Sequence, residues 1–232
     1  MKKNMKIAFP HFTFGDMFLY GASVALILLS FVLFRHSGWL SLIASLVGVT
    51  SLTFCAKGHP IGQLLMIAFS ILYGIISFGY SYYGEMITYV CMSLPMAVVS
   101  LISWIRHPYA GDKSQVEVRH LRSVEWRIIL AAAAVVTVVF YFVLRALDTA
   151  NLVVSTISVT TSFAAASLTF RRSPYFALAY AANDIVLLVL WIMASLDDPS
   201  YLSVVVCFGV FLLNDLNGFR CWRRMQRAQA KH

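Results

Sequence analysis

The chain has 232 residues, of which 60% are hydrophobic and 12% charged, and its formal net charge is +8 at pH 7. A soluble domain carries about 25% charged residues, so this composition excludes an ordinary soluble enzyme and indicates a protein wetted by lipid. The positive charge then suits anionic lipid headgroups rather than a nucleic acid.

Apolar runs follow one another along the chain, each close to the roughly 20 residues with which a helix spans a bilayer. The eight runs, called spans one to eight, are Met17–Phe34, Trp39–Ala56, Ile61–Tyr80, Met86–Ile105, Ile128–Leu147, Asn151–Phe170, Tyr175–Ala194 and Tyr201–Phe219. They leave no length for a soluble catalytic domain. We therefore predict an all-α integral membrane protein with eight transmembrane helices.

Span one, within residues 1–38, is predicted to be an additional membrane helix rather than a cleaved signal peptide. Its C-terminal flank, Phe34-Arg35-His36-Ser37, is not a small-residue cleavage site. Pro95 falls inside span four and is expected to kink that helix.

Two stretches of the chain, residues 39–106 and 151–222, read as copies of one three-helix unit. The motif Leu52-Thr53-Phe54, a basic residue and Pro60 recurs as Leu168-Thr169-Phe170, two arginines and Pro174. Two such units point the same way only if an odd helix joins them, and span five, within residues 107–150, is that helix. The pattern predicts a 1+3+1+3 arrangement of parallel repeats, like that of the SWEET transporters, followed by a basic tail at residues 223–232.

Basic residues fall almost entirely on one side of the predicted membrane. With the N-terminus inside, only Arg35 and Arg145 of the 18 Lys and Arg residues lie outside. The positive-inside rule therefore places both termini in the cytoplasm. Trp39, Trp104 and Trp222 stand at span ends and are expected to be interfacial anchors.

Polar residues at membrane depth are the main candidates for a binding site, because such residues are costly there. Span seven holds Asn183 and Asp184 near its middle, on a helical stripe that also carries Phe176, Tyr180 and Trp191. Aromatic rings beside amide and carboxyl groups suit a flat heteroaromatic ring attached to a sugar. The alternative is that Asn183 and Asp184 only join neighbouring helices by hydrogen bonds.

Further candidates lie on other spans. Span eight carries Asn214, Asp215 and Asn217 near its cytoplasmic end, whereas Gln63, Tyr73 and Glu85 lie in the first triple. Glu85 has a second interpretation, since a carboxylate at a helix N-terminus is stabilised by the helix dipole. The cysteines and histidines show no ligand spacing, so neither a metal nor another cofactor is predicted.

An intramembrane aspartyl protease would need two carboxyl groups that share a proton at close range. Counted from the predicted cytoplasmic ends of their spans, Asp184 and Asp215 differ in depth by about 9 Å, which is too far for such a pair. The sequence therefore predicts no enzyme.

Several segments together resemble the PnuC family of nicotinamide riboside transporters, especially those of Gram-positive bacteria. They are Ile71–Phe78, Tyr83–Met86, Asn151–Leu152 with Thr156–Thr161, Phe170–Tyr175, Ala179–Ile185 and Asn217–Trp222. The resemblance implies import of nicotinamide riboside by facilitated diffusion into a bacterium, with a cytoplasmic kinase that traps the product for NAD synthesis. We also expect the carrier to form a homo-oligomer in the plasma membrane.

The resemblance also bears on the site. Asn183 matches a pocket asparagine of the family, but Ala179 stands where Gram-negative relatives have a pocket tryptophan. Tyr180, Phe176 and Trp191 are the candidates for the missing ring contact. The same departure leaves related vitamins, such as riboflavin or thiamine, as alternative substrates.

Overall fold

A computed structural model of the chain describes residues 12–34, 38–79, 83–149 and 151–231. Eight helical stretches within these ranges are long and apolar enough to cross a membrane, as predicted. The predicted positions of Lys2, Lys3, Lys6 and Arg35, and the predicted end of span three at Tyr80, lie outside the described residues.

Helices account for nearly all of the regular structure. In chain order the α-helices are α1 (Phe14–Leu33), α2 (Trp39–Ala56), α3 (Ile61–Gly79), α4 (Tyr83–Ile87), α5 (Leu94–Arg106), α6 (Ser123–Ala146), α7 (Leu152–Phe170), α8 (Phe176–Asp197) and α9 (Leu202–Gln229). A π-helix at Thr88–Ser93 joins α4 to α5, so these three elements together form span four. A 3₁₀-helix at Pro199–Tyr201 precedes α9.

Span four is broken rather than smoothly kinked at its proline. Pro95 lies in the first turn of α5, directly after the π-helix. Proline lacks the N–H that would continue the helix ladder, and its ring clashes with the carbonyl one turn earlier. A wider π turn is one way for the backbone to accommodate that clash.

We describe the helices as the two predicted triples, with α1 and α6 outside them. The first triple consists of α2, α3 and span four, and the second consists of α7, α8 and α9. Between the triples, α2 packs against α9, and α5 packs against α7. Helix α1 lies against α2 and α9, where Asp16 forms an ion pair with Lys57, and α6 lies against α7.

Trp104 and Trp222 lie between the triples and not at the lipid interface. Both side chains are fully buried. Trp104 Nε1 donates to the Thr169 carbonyl oxygen at 3.0 Å, and Trp222 Nε1 donates to the Cys55 carbonyl oxygen at 2.8 Å. The prediction that these two residues are interfacial anchors is therefore wrong, because each indole closes the end of a helix in the other triple. Trp39, by contrast, is 72% exposed.

Two features of the basic end of the bundle add detail to the predicted arrangement. We define this end by the α2–α3 turn, the α5–α6 connection, the α7–α8 turn and the C-terminal part of α9. The predicted tail is not separate, since α9 continues to Gln229. The α5–α6 connection contains a short antiparallel hairpin of β1 (Pro108–Tyr109) and β2 (Asp112–Val116).

Main-chain hydrogen bonds explain why the hairpin folds onto the bundle. The Val116 N–H donates to the Gly58 carbonyl at 3.0 Å, and its own carbonyl accepts from Gln229 Nε2 at 3.1 Å. The Val116 side chain is 1% exposed. The last turn of α9 and the α2–α3 turn thus hold the connection in place.

Candidate functional site

A narrow cavity lies in the middle of the bundle, where the two triples meet, and is called the central cavity. Every membrane-spanning helix of both triples contributes to its wall, with Gly48 from α2, Phe69 from α3, Tyr89 from span four, Ser162 from α7, Asn183 from α8 and Asp215 from α9. Its volume is about 40 Å³. That is room for water, whereas ligand pockets usually measure about 300–1,000 Å³.

Asn183 is held in a fixed orientation by hydroxyl groups of α7. Its Oδ1 atom accepts hydrogen bonds from Thr161 at 2.8 Å, Ser162 at 3.0 Å and Ser158 at 3.4 Å. The side chain is 4% exposed and lines the central cavity. With its oxygen engaged by α7, the amide has its two N–H donors left for other partners.

Asp184 and Asp215 form a carboxyl pair on the adjacent helices α8 and α9. Their side chains lie close enough to interact, and both residues line the central cavity. Asp184 Oδ2 has no hydrogen-bond partner among the residues that the structure describes. A proton shared between two neighbouring carboxyl groups would leave their other oxygens as acceptors.

This pairing overturns the predicted depth difference of about 9 Å, which assumed 1.5 Å per residue from the ends of the spans. The predicted span eight ends at Phe219, and the depth of Asp215 was counted from there. Because α9 in fact continues to Gln229, Asp215 lies well inside its helix and at the level of Asp184.

Aromatic rings form much of the remaining lining of the central cavity. The centroid of the Phe69 ring lies 5.9 Å from that of Tyr89 and 5.7 Å from that of Phe211, and Phe208 lies 5.7 Å from Phe211. Gly48 makes this packing possible, because a Cβ at that position would lie 2.4 Å from Phe211 Cζ. The cavity lining therefore combines aromatic rings from α3, span four and α9 with polar side chains from α8 and α9.

A second cavity, also of about 40 Å³, lies farther from the basic end and is lined by Tyr73 and Trp191. Trp191 is 3% exposed and is not part of an interfacial belt. Phe69 and Phe208 line both cavities, so these two rings separate them.

The other predicted site residues lie outside the central cavity. Phe176 packs against Trp222, with ring centroids 4.8 Å apart, at the basic end. Gln63 Nε2 donates to Cys55 Sγ at 3.3 Å, and Asn214 Nδ2 donates to Ser23 Oγ of α1 at 2.9 Å. Asn217 lines a separate crevice that it shares with Asp16.

Glu85 is buried at the start of span four, and its Oε2 atom has no hydrogen-bond partner in the described parts of the chain. Of the ten predicted site residues, Asn183, Asp184 and Tyr180 are thus brought together in the central cavity. The predicted stripe on span seven does face inward, but only its middle third reaches this cavity.

Several lining residues were not among the predicted site residues, notably Gly48, Phe69, Tyr89, Phe208 and Phe211. A signal for two of them was present in the sequence. Phe208 and Phe211 precede Asp215 by seven and four residues, which places all three on one face of a helix. The signals on the other spans are weaker, since Phe69 lies one turn before Tyr73 and Gly48 lies between Ser45 and Ser51.

Most of the chain is similar in sequence to known proteins. Residues 38–224 match the family described as "Nicotinamide mononucleotide transporter". The nicotinamide riboside transporter PnuC of Neisseria mucosa is 24% identical over 196 residues, which cover 83% of this chain and 74% of that protein. The protein of the same name from Haemophilus influenzae is 21% identical over 188 residues, or 81% of this chain and 80% of that protein.

A solved structure shares the fold. The crystal structure of the vitamin B3 transporter PnuC superposes with a TM-score of 0.83 at 22% identity, covering 94% of each chain. The arrangement of membrane-spanning helices described above is therefore one that a solved protein adopts.

Proposed function

Because the chain belongs to the nicotinamide mononucleotide transporter family, we propose that it imports nicotinamide riboside by facilitated diffusion and so supplies NAD synthesis. Family membership makes it a multi-pass membrane transporter and not an enzyme. Two relatives carry the name nicotinamide riboside transporter. The observation that carries the proposal is the central cavity, in which a carboxyl pair and an amide face aromatic rings.

The aromatic and the polar side chains of the lining suit the two halves of a nucleoside. Ribose hydroxyls are donors, and the free Asp184 Oδ2 and the oxygens of Asp215 are acceptors. The nicotinamide ring would pack against Tyr89, Phe69 or Tyr180, which would replace the tryptophan absent at Ala179. Buried hydrogen-bond donors and acceptors reject analogues that lack the matching group.

The same cavity favours the nucleoside over its phosphate ester. Among the described residues that line it there are two aspartates and no Lys or Arg. A phosphate group placed there would meet negative charge at low dielectric, which is strongly unfavourable. We therefore propose nicotinamide riboside rather than nicotinamide mononucleotide as the substrate.

Passage requires the structure to open. A volume of about 40 Å³ cannot hold a nucleoside, so the triples must separate, and Phe69 and Phe208 must move aside. We propose that the triples, residues 39–106 and 151–222, are parallel repeats that rock against each other. The reciprocal bonds of Trp104 and Trp222 support this symmetry.

We further propose that the basic end faces the cytoplasm of a bacterium. Facilitated diffusion only equalises the solute concentrations on the two sides, so accumulation needs a reaction that consumes the imported solute, which a cytoplasmic kinase would supply.

Helix α6 buries only Ile129, Ala133 and Leu144, and its remaining apolar surface suits lipid or a second subunit of a homo-oligomer.

Uptake of labelled nicotinamide riboside into proteoliposomes tests the function. Without the kinase, uptake should level off at equal concentrations on both sides and should be insensitive to a protonophore. Unlabelled nicotinamide riboside should compete, whereas nicotinamide mononucleotide, riboflavin and thiamine should not. Accumulation above equilibrium that a protonophore abolishes would contradict passive transport, and competition by riboflavin or thiamine alone would contradict the substrate.

A further inference from the structure

Arg172 lies in the α7–α8 turn at the basic end, and its charge is unusually enclosed. The residue is 6% exposed, and its Nε and Nη1 atoms have no hydrogen-bond partner among the residues that the structure describes. A buried guanidinium that lacks a partner is costly, so buried arginines normally face a counterion. The surroundings of Arg172 therefore indicate what kind of counterion fits.

The backbone at Arg172 makes its presence more unexpected. Its φ angle is 57°, in the left-handed region that favours glycine. The corresponding residue of the α2–α3 turn is Gly58, with φ of 67°. Both turns make the same closing bonds, since Ser173 N–H donates to the Leu168 carbonyl as His59 N–H does to that of Phe54. The first turn thus has glycine where the second has a buried arginine.

Arg172 lines a crevice of about 380 Å³ between the ends of α5 and α7, which we call the basic crevice. Arg106, His107, Arg119 and Arg171 also line it, together with apolar side chains such as Ile102. The acidic groups nearby are few. Glu125 forms ion pairs with Arg119, at 3.1 Å, and with Arg171.

Within the described part of the chain Arg172 forms no ion pair, and Glu117 is the acidic group whose charge acts on it. Burial is the main cause that lowers the pKa of Arg172, with Glu117 opposing it and Arg119 and Arg171 adding to it. Because an arginine stays protonated nevertheless, its burial and the charges of Arg119 and Arg171 make its positive charge energetically unfavourable. A bound anion would relieve that cost.

We propose that the basic crevice is a binding site for a phosphate group, in which Arg172 is the buried ligand and the neighbouring arginines form the rim. Guanidinium groups match the geometry of phosphate oxygens and hold them by charge-assisted hydrogen bonds. The group comes either from an anionic lipid headgroup, since basic pockets between helices bind such headgroups, or from a soluble phosphate ester. The central cavity is a separate site with acidic rather than basic walls.

The variant Arg172→Gly tests the site without the usual risk to folding. Glycine is the residue of the equivalent turn and relieves the left-handed strain, so the melting temperature in phosphate-free buffer should be equal or higher. Arg227→Gln is the matched control, because Arg227 is an exposed arginine at the same end that does not line the crevice.

Two measurements distinguish a lipid headgroup from a soluble phosphate ester as the source of the phosphate group. Inorganic phosphate titrated into the lipid-stripped full chain should bind and raise the melting temperature, and Arg172→Gly should weaken binding about tenfold or more. Native mass spectrometry should show whether retained phosphatidylglycerol depends on Arg172. Loss of phosphate binding alone identifies a soluble phosphate, and loss of retained phosphatidylglycerol identifies a lipid.

Two results would overturn the proposal. The first is that Arg172→Gly binds inorganic phosphate and retains phosphatidylglycerol as strongly as Arg227→Gln does. The other is a clear fall in the melting temperature of Arg172→Gly without phosphate, which would make the guanidinium a structural element of the turn. Neither readout uses transport, so failure here leaves the proposed function untouched.

Discussion

At the scale of single residues, the polar groups inside the bundle divide into those that hold helices together and those that face the central cavity. Asn214 donates to Ser23 of α1 and to the carbonyl of Val210, both at 2.9 Å, and so joins α9 to α1. Asn183 also has hydroxyl partners, on α7, but it lines the cavity. The two asparagines therefore offer a matched pair of substitutions.

We predict that Asn183→Ala weakens nicotinamide riboside binding by about tenfold or more. A buried hydrogen bond contributes about 0.5–1.5 kcal/mol, leaving a partner unsatisfied costs about 1–3 kcal/mol, and 1.4 kcal/mol is a factor of ten. Calorimetry on purified protein measures the affinity. Asn214→Ala should lower the melting temperature but keep the affinity, and an equal affinity loss in both variants would argue against a special role for Asn183.

For Asp184→Asn we predict a normal melting temperature and a loss of affinity. An amide at position 184 can still donate to Asp215, so the contact between α8 and α9 survives. The oxygen that then replaces Oδ2 toward the solute belongs to a neutral amide, and hydrogen bonds to a neutral acceptor are about half as strong as those to a carboxylate. If yield and melting temperature fell while affinity stayed intact, Asp184 would be a structural link between helices instead.

At the scale of helices, the central cavity depends on how closely α2 approaches the aromatic rings of its lining. Gly48 has no side chain, and the rings of Phe69 and Phe211 occupy the space where one would lie. Span four contributes Tyr89 from its π-helix, a geometry that is often found at functional sites. The shape of the cavity is thus set by backbone features of α2 and span four.

We predict that Gly48→Ala reduces the rate of uptake about tenfold. The added Cβ would lie 2.4 Å from Phe211 Cζ and 3.1 Å from Phe69 Cδ2, so the rings must move into the cavity. Overpacking of this kind typically costs about 1–3 kcal/mol. Gly209→Ala on α9 is the control, because nothing lies within 4 Å of a Cβ there. Normal uptake by Gly48→Ala would show that the rings of Phe69 and Phe211 can shift without obstructing the solute.

At the scale of the whole molecule, the uneven distribution of basic residues predicts how the bundle is oriented across the membrane. Lys57, Arg106, Arg171 and Arg172 lie at or beside helix ends on the basic end, whereas Arg145 lies near the other end. Trapping of basic segments on the cytoplasmic side sets the orientation of most multi-pass proteins.

Reporter fusions after Asp198 and after the last residue of the chain should therefore give opposite signals. The first position lies between α8 and α9 at the end away from the basic residues, and the second follows α9. A cytoplasmic signal is expected only from the second. The same signal from both would mean that α9 does not cross the membrane.

The sequence by itself determined the class of the protein, the number of membrane-spanning helices and the family, because hydropathy is summed over about 20 residues and tolerates local detail. It also singled out Asn183 and Asp184, which line the central cavity, since a polar residue in an apolar span is conspicuous wherever its neighbours lie. These features are properties of one segment at a time.

Only the tertiary structure decided which segments meet. The pairing of Asp184 with Asp215 depended on where α9 ends, and the burial of Trp104 and Trp222 depended on a carbonyl supplied by the other triple. The aromatic lining and the basic crevice likewise join residues far apart in the chain. Hydropathy places a residue along the membrane normal, but the rotation and contacts of each helix are fixed by its packing against its neighbours.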